Sequence, residues 1–138
     1  MENGGYSPIK PVGRIIELSL AASYSMEIGC SQIFYGIHKD DAVDKDNKIE
    51  FISLLSKAIS IETGKSFSIE VPFLNKTKSE IIALGKTLNV PFEDTWSCTA
   101  NNNNNYNGKT HCGKCDSCIQ RKEAFESNNL PDPVSYAN

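Results

Sequence analysis

Gln32-Ile33-Phe34-Tyr35-Gly36-Ile37 is a short continuous apolar run, rich in β-branched and aromatic residues. It is followed by a helical stretch from about Ile49 to Glu62 and then by Ser66 to Val71, which reads as a second strand. In the middle stretch Ile52, Leu55 and Ile59 recur at helical spacing, and Gly64 stands near the C-terminal stop. Strand, helix, strand in that order is a βαβ unit, whose right-handed crossover makes the two strands parallel. The fold class is therefore α/β. The continuity of the first run predicts a strand buried on both faces.

Upstream, Ile16, Leu20, Tyr24 and Ile28 fall on a 3.6-residue period with Ala21, Ala22 and Ser23 beside them and Gly29 as stop, so an amphipathic helix covers 13–28. Met1 to Val12 is polar, with Gly4-Gly5, Pro8 and Pro11, and reads as loop. Downstream, Thr77-Lys78-Ser79-Glu80 is a capping box opening a helix through Ile81, Ile82, Leu84 and Leu88, which Asn89-Val90-Pro91 ends. Asp116-Ser117 caps a last helix running to about Glu126, and Leu130-Pro131-Asp132-Pro133 begins an irregular tail. The organisation expected is an N-terminal loop over 1–12, an α/β domain over 13–90 and a metal-binding segment with its helix over 91–138.

That segment holds Cys98, Cys112, Cys115 and Cys118 in a C-x13-C-x2-C-x2-C array. Two-residue gaps let successive thiolates turn onto one ion, and a sulphur from an upstream loop completes a tetrahedral S4 shell that suits Zn2+ and leaves no open position. A closed shell is structural. Disulfide pairing is disfavoured by the crowding and by the odd total of five cysteines. An iron-sulphur cluster lacks the further cysteine and proline of ferredoxin runs. His111, beside Cys112, could replace one sulphur, although four suffice. Cys30 reads as an ordinary semi-buried thiol. Asn101 to Asn105 form a polar insertion expected at the surface.

The chain has 138 residues, enough for one respectable core, and a net charge of −3 with a pI near 5.4. Spread acidity leaves no footprint for direct nucleic-acid binding, and no apolar stretch approaches a membrane span. Thiols without a signal peptide point to a reducing, cytoplasmic setting.

Ligands of open parallel sheets bind beyond the carboxyl ends of the strands, and the first strand here leads into Gly36-Ile37-His38-Lys39-Asp40-Asp41. His38 and Asp41 are candidate ligand contacts, and equally a surface histidine beside a solvated acidic loop. Lys78 at a helix N-terminus, where backbone N–H groups already favour an anion, is a candidate for a carboxylate or phosphate. Arg14 offers a five-donor fork for the same groups. No phosphate-gripping glycine loop and no Ser/His/Asp set occur.

Thr95-Trp96-Ser97-Cys98, His111-Cys112-Gly113-Lys114-Cys115-Asp116-Ser117-Cys118, Arg121, Ala124-Phe125 and Asp132-Pro133 resemble the zinc segment of the 7-cyano-7-deazaguanine synthases. Arg14 with Leu18 to Ala22, Gly36-x-His38-x-x-Asp41, Glu50-Phe51 and Lys78-x-Glu80-Ile81 agree with the same family in order. The resemblance implies an adenine-nucleotide α-hydrolase-like, Rossmann-like fold. It also implies an ATP-dependent carbon–nitrogen ligase that converts 7-carboxy-7-deazaguanine and ammonia to 7-cyano-7-deazaguanine for tRNA modification, with ATP as co-substrate. The departures are equally specific. The family's Ser-Gly-Gly-x-Asp-Ser phosphate loop is missing, Ile15 replaces an Asn, Asp46-Asn47-Lys48 stands where the family carries Asp-Cys-Arg, and the cysteine loop is lengthened by asparagines. The expectation is a synthase portion active only with a phosphate-loop-bearing partner, or self-associating without one. The alternative is a non-catalytic, zinc-stabilised binding module derived from the enzyme.

Overall fold

The computed structural model describes residues 13–41, 49–100 and 110–137. The loop expected over 1–12, the Asp46-Asn47-Lys48 departure and the asparagine run lie outside the described residues. The chain divides between Asn75 and Lys76 into two compact units.

In the first unit, helix α1 (Gly13–Glu27) leads to strand β1 (Gln32–Phe34), helix α2 (Ile49–Thr63) and strand β2 (Ser68–Glu70). The strands pair in parallel with Gln32 opposite Ser68, Ile33 opposite Ile69 and Phe34 opposite Glu70, as a βαβ unit requires. Ile52 is fully buried, with Leu55 and Ile59 packed behind it, so α2 turns its expected stripe inward. Gly64 adopts φ +67°, the left-handed stop that glycine adopts without a Cβ penalty.

Three expectations fail in this unit. Helix α1 buries Leu18, Ala22 and Ser25, while Ile16, Leu20 and Tyr24 are 41%, 66% and 69% exposed and Ile28 is also exposed. The helix carries a second stripe at the same period, Leu18-Ala22-Met26, and its small Ala22 sits in the core beside Ile52 and Ile69. Periodicity identifies a helix with two apolar stripes but not the stripe that faces inward. The first strand is likewise not buried on both faces: Phe34 is 71% exposed, while Ile37 beyond the strand is buried. Cys30, expected to be semi-buried, is exposed.

The outer edge of β2 is closed by side chains of α2. Phe67 N donates to Ser60 Oγ at 3.0 Å and Ile69 N to Ser56 Oγ at 3.1 Å, so the backbone donors that alternate away from β1 are satisfied. Toward β1, Ser68 N reaches Ser31 O and Tyr35 N reaches Glu70 O. The same alternation turns the backbone of Gln32 and Phe34 to the other edge of β1, which is where the sheet can grow.

The second unit comprises α3 (Lys78–Thr87), one 3-10 turn (Phe92–Asp94), β3 (Thr110–His111), α4 (Asp116–Glu126) and β4 (Ser135–Tyr136). It thus includes α3, which the sequence places with the α/β domain. The capping box is formed as read: Glu80 N donates to Thr77 Oγ1 and Thr77 N to Glu80 Oε2. At the other end Asn89 (φ 53°) lets Asn89 N reach Lys86 O and Val90 N reach Gly85 O, a Schellman stop. Ile82, Ala124 and Phe125 form the core, with the Phe92 ring edge-on to Phe125 at 5.1 Å. The irregular tail pairs its end with the cysteine segment, Thr110 opposite Ser135 and His111 opposite Tyr136.

Gly85 is buried, and a Cβ there would lie 2.6 Å from the Phe92 ring. Overpacking of this kind costs about 1–3 kcal/mol, against about 1 kcal/mol gained by putting Ala in a helix. Gly85→Ala is therefore expected to lower stability by up to about 2 kcal/mol in urea titration, and Gly85→Ala with Phe92→Leu should recover part of the loss.

Candidate functional site

The four cysteines converge. Their Sγ atoms all lie within 4.8 Å of one another, with Cys98, Cys112 and Cys118 buried and Cys115 partly so. Cys112 Sγ and Cys118 Sγ are 3.8 Å apart, the edge expected of a tetrahedron with metal–sulphur bonds of about 2.3 Å. The peptide donors also turn onto sulphur: Cys112 N to Cys98 Sγ at 3.4 Å, and Lys114 N and Cys115 N to Cys112 Sγ at 3.4 and 3.3 Å. Donors aimed at sulphur favour thiolate over thiol. Gly113, at φ +73°, makes the tight turn between them.

The residue capping α4 is Cys115, with no side-chain cap, and not the Asp116-Ser117 pair read from sequence. The cause is the sulphur cluster, which sets the chain's entry into the helix. Burial pushes the Cys118 thiol up to about 12, and a shared hydrogen bond with Cys115 adds to it. Burial also opposes ionisation of Cys115, but hydrogen bonds from the Thr99 and Cys118 backbones and the Cys118 thiol outweigh it and bring Cys115 down to about 6. One of the pair therefore ionises first, and a cation is needed to hold both as thiolates. The set could hold a metal ion.

His111 does not join the shell. Its Nε2 accepts from Ser97 N at 3.2 Å, and its ring packs against Trp96 with centroids 4.2 Å apart. Burial, then the nearby Arg121 charge, hold its pKa below the ordinary histidine value. Arg121 itself, 3% exposed, is the polar centre of the unit. It makes a bidentate pair with Asp132 (2.8 and 2.9 Å) and donates to Thr95 Oγ1 at 2.7 Å and Phe92 O at 3.1 Å. This clamp joins α4, the extended segment leading to Cys98 and the tail. The pairing leaves no local signal in the sequence, because its two residues stand eleven positions apart.

At the carboxyl end of β1 the structure brings His38 and Asp41 together. Asp41 Oδ2 accepts from His38 N at 3.2 Å and lies 3.2 Å from Nε2, and Asp41 N donates to His38 O at 3.0 Å. His38 is 9% exposed. Asp40, which the sequence reading passed over, places Oδ2 3.6 Å from Nδ1. Arg14 is exposed on α1, paired with Glu17 at 3.1 Å and 5.8 Å from the Tyr35 ring. Lys78 is the first residue of α3, in the other unit, and is partly buried. The structure thus joins His38 with Asp41, while Arg14 stands apart on α1.

A parallel βαβ unit with polar side chains gathered at a strand end, in one chain with a unit whose four thiols could hold a metal ion, defines a Rossmann-like α/β protein. The family described as Queuosine biosynthesis protein QueC matches residues 9–129, and the chain belongs to that family, whose fold is adenine-nucleotide α-hydrolase-like. Among its relatives are 7-cyano-7-deazaguanine synthase 1 of Colwellia psychrerythraea, 37% identical over 94% of this chain, and the 7-cyano-7-deazaguanine synthase of Pseudoalteromonas translucida, 37% identical over 98%. That of Clostridium kluyveri is 41% identical over 91%. The chain spans 57%, 60% and 56% of the length of these three. No helix among the described residues is long and apolar enough to cross a membrane.

Proposed function

We propose that this chain is the metal-bearing, substrate-side part of a 7-cyano-7-deazaguanine synthase and works with a partner that bears the phosphate loop. The observation that carries the reading is family membership over residues 9–129, and the partner is proposed on the exposed row of α1 and the open edge of β1. The reaction is the ATP-dependent conversion of 7-carboxy-7-deazaguanine and ammonia to the nitrile. A carboxylate resists nucleophiles until adenylation gives it a leaving group. Ammonia then attacks the acyl adenylate, and a second ATP-dependent dehydration leaves the nitrile. Fixed cations and N–H donors stabilise the charge that develops, a role that suits Arg14 and Lys78, while His38 and Asp41 contact ligand at the strand end. The four thiolates would hold Zn2+ as a structural ion, in a shell with no position for substrate.

Two features of the first unit support a partner. Ile16, Leu20 and Tyr24 form an exposed apolar row on α1, and the open edge of the sheet lies at β1, beside exposed Phe34. Natural proteins cover such faces and pair such edges. The setting expected is cytoplasmic, where thiols stay reduced.

Alone, the chain is expected to self-associate and to bind ATP weakly, since no Gly-rich loop in its sequence supplies the row of backbone donors that grips phosphates. Mixing with the phosphate-loop half of a related synthase should give a soluble heterodimer with nitrile-forming activity. Within it, Lys78→Ala should reduce turnover without changing metal content. A monodisperse monomer with no affinity for that half would instead favour the non-catalytic binding module, the reading suggested by Ile15 and Asn47-Lys48. Tight ATP binding by the isolated chain would contradict the need for the partner's loop.

A further inference from the structure

His111 Nδ1 is buried and has no hydrogen-bond partner, in a residue only 1% exposed. A buried polar atom left unpaired is costly and calls for an explanation. Its chemical character follows from the opposite nitrogen. Nε2 accepts from Ser97 N at 3.2 Å and so carries no hydrogen, which places the ring's hydrogen on Nδ1. His111 thus holds a donor that lacks an acceptor. The residue forms part of the wall of a cavity of about 560 Å3, within the ordinary range of small-molecule sites. Three other wall residues define what fits. Trp96 is 48% exposed, and its ring is fixed by stacking on His111 and by the bond from Nε1 to Cys98 O at 2.8 Å. It offers a rigid aromatic surface for a planar ring. Glu93 and Asp94, both exposed, line the same cavity, and neither makes an ion pair among the described residues. A carboxylate only accepts, and its two oxygens take two adjacent N–H groups at once. A guanidinium would suit Trp96 and the carboxylates but has no acceptor to offer Nδ1–H. A guanine-type edge meets every requirement, with a carbonyl oxygen beside a ring N–H and an exocyclic amino group. Nδ1 lies beneath the cavity surface, and Pro133 and Ser135, exposed on the tail, line the same wall and can shift as the carbonyl reaches it.

We propose that this cavity binds a planar base by its guanine-type edge. Trp96 is the stacking platform, the Glu93 and Asp94 carboxylates accept the paired N–H groups, and His111 Nδ1 donates to the carbonyl. Stacking on an aromatic side chain combined with hydrogen bonds along the pairing edge is the general way in which proteins hold an isolated base. The edge is read from the cavity, whereas taking 7-carboxy-7-deazaguanine as the natural ligand rests on the synthase reading above, whose substrate carries that edge.

Trp96 is the chain's one tryptophan, so its emission reads the site directly. The metal-loaded full chain is titrated with 7-carboxy-7-deazaguanine, guanosine, adenosine and arginine, and equilibrium dialysis gives the same constants where self-association scatters light. The first two are expected to quench Trp96 saturably. Adenosine, which turns an amino group toward Nδ1–H and a bare ring nitrogen toward the carboxylates, should bind at least about 10-fold more weakly, because it leaves the site's polar groups unpaired. Glu93→Gln combined with Asp94→Asn should weaken guanosine binding by about 10-fold or more and leave metal content unchanged. The chain has two histidines, so 15N-histidine labelling adds a second reading: guanosine should shift His111 Nδ1 and leave His38 still. Adenosine binding as tightly as guanosine, arginine binding more tightly, or no saturable quenching by either guanine-type ligand overturns the proposal. Saturable guanosine binding by a chain that forms no nitrile with its partner half overturns the synthase reading and keeps the site. Nitrile formation without binding at Trp96 does the reverse.

Discussion

Removing the metal, by strong chelation or by Cys115→Ser, is expected to unfold the second unit outright. Structural zinc sites contribute about 10–16 kcal/mol at neutral pH, comparable with or above the total stability of an ordinary domain at about 5–15 kcal/mol. In this unit the sulphurs also organise the backbone, since Cys98 and Cys112 accept from the peptide groups that turn the chain into α4. Without an ion, burial favours the protonated Cys118 thiol, and weak S–H hydrogen bonds replace the metal–sulphur bonds. The chain's one tryptophan, Trp96, stacks on His111 beside the cluster, so its fluorescence reports this unit and not the βαβ unit. Trp96 is already 48% exposed, so chelation is expected to change the intensity of that emission as the His111 stack is lost and to remove the helical signal of α4, and metal analysis should return about one zinc per folded chain. A chelated sample with unchanged Trp96 emission, or folded protein carrying iron, would refute a structural zinc role.

The second large effect is expected at the clamp, where Asp132→Ala leaves the Arg121 guanidinium buried without its counter-charge. Breaking a buried pair from one side costs about 3–5 kcal/mol, and here the stranded cation still holds Thr95 and Phe92 carbonyls that would follow it toward water. Replacing both partners, as Arg121→Met with Asp132→Leu, should recover much of the loss, because the dominant cost is the orphaned charge. Urea titration followed by Trp96 emission separates the outcomes; equal losses in single and double variants would show that the clamp acts through its packing. The pH dependence has a defined sign. Burial alone would raise the Asp132 pKa, but hydrogen bonds from Arg121 and Tyr136 outweigh it and hold the carboxyl below its ordinary 3.8. Its contribution is therefore complete above about pH 4 and is lost as pH falls through the depressed folded-state value, so neutral pH measures the whole effect. The same carboxylate, after burial, raises the pKa of the Tyr136 hydroxyl that donates to it at 2.6 Å.

Spacing determined the features whose causes are local. Four thiols at x13, x2 and x2 can reach one ion whatever surrounds them, Thr77 and Glu80 complete each other across one turn, and His38 and Asp41 meet across three residues. The parallel pairing of β1 and β2 was legible for a related reason, because a strand, helix, strand order leaves a single favoured handedness. Tertiary structure decided everything that depends on choosing between chemically similar surfaces or joining distant ones. Helix α1 has two apolar stripes of one period, and only packing beside Ile52 and Ile69 selects Leu18-Ala22-Met26 over Ile16-Leu20-Tyr24. The closure of β2 by Ser56 and Ser60, the clamp from Arg121 to Asp132 and the exclusion of His111 from the sulphur shell join residues whose separation in sequence carries no period. Hydrogen bonds at such distances exist only once the chain is folded, because nothing in local conformation brings the donor to its acceptor.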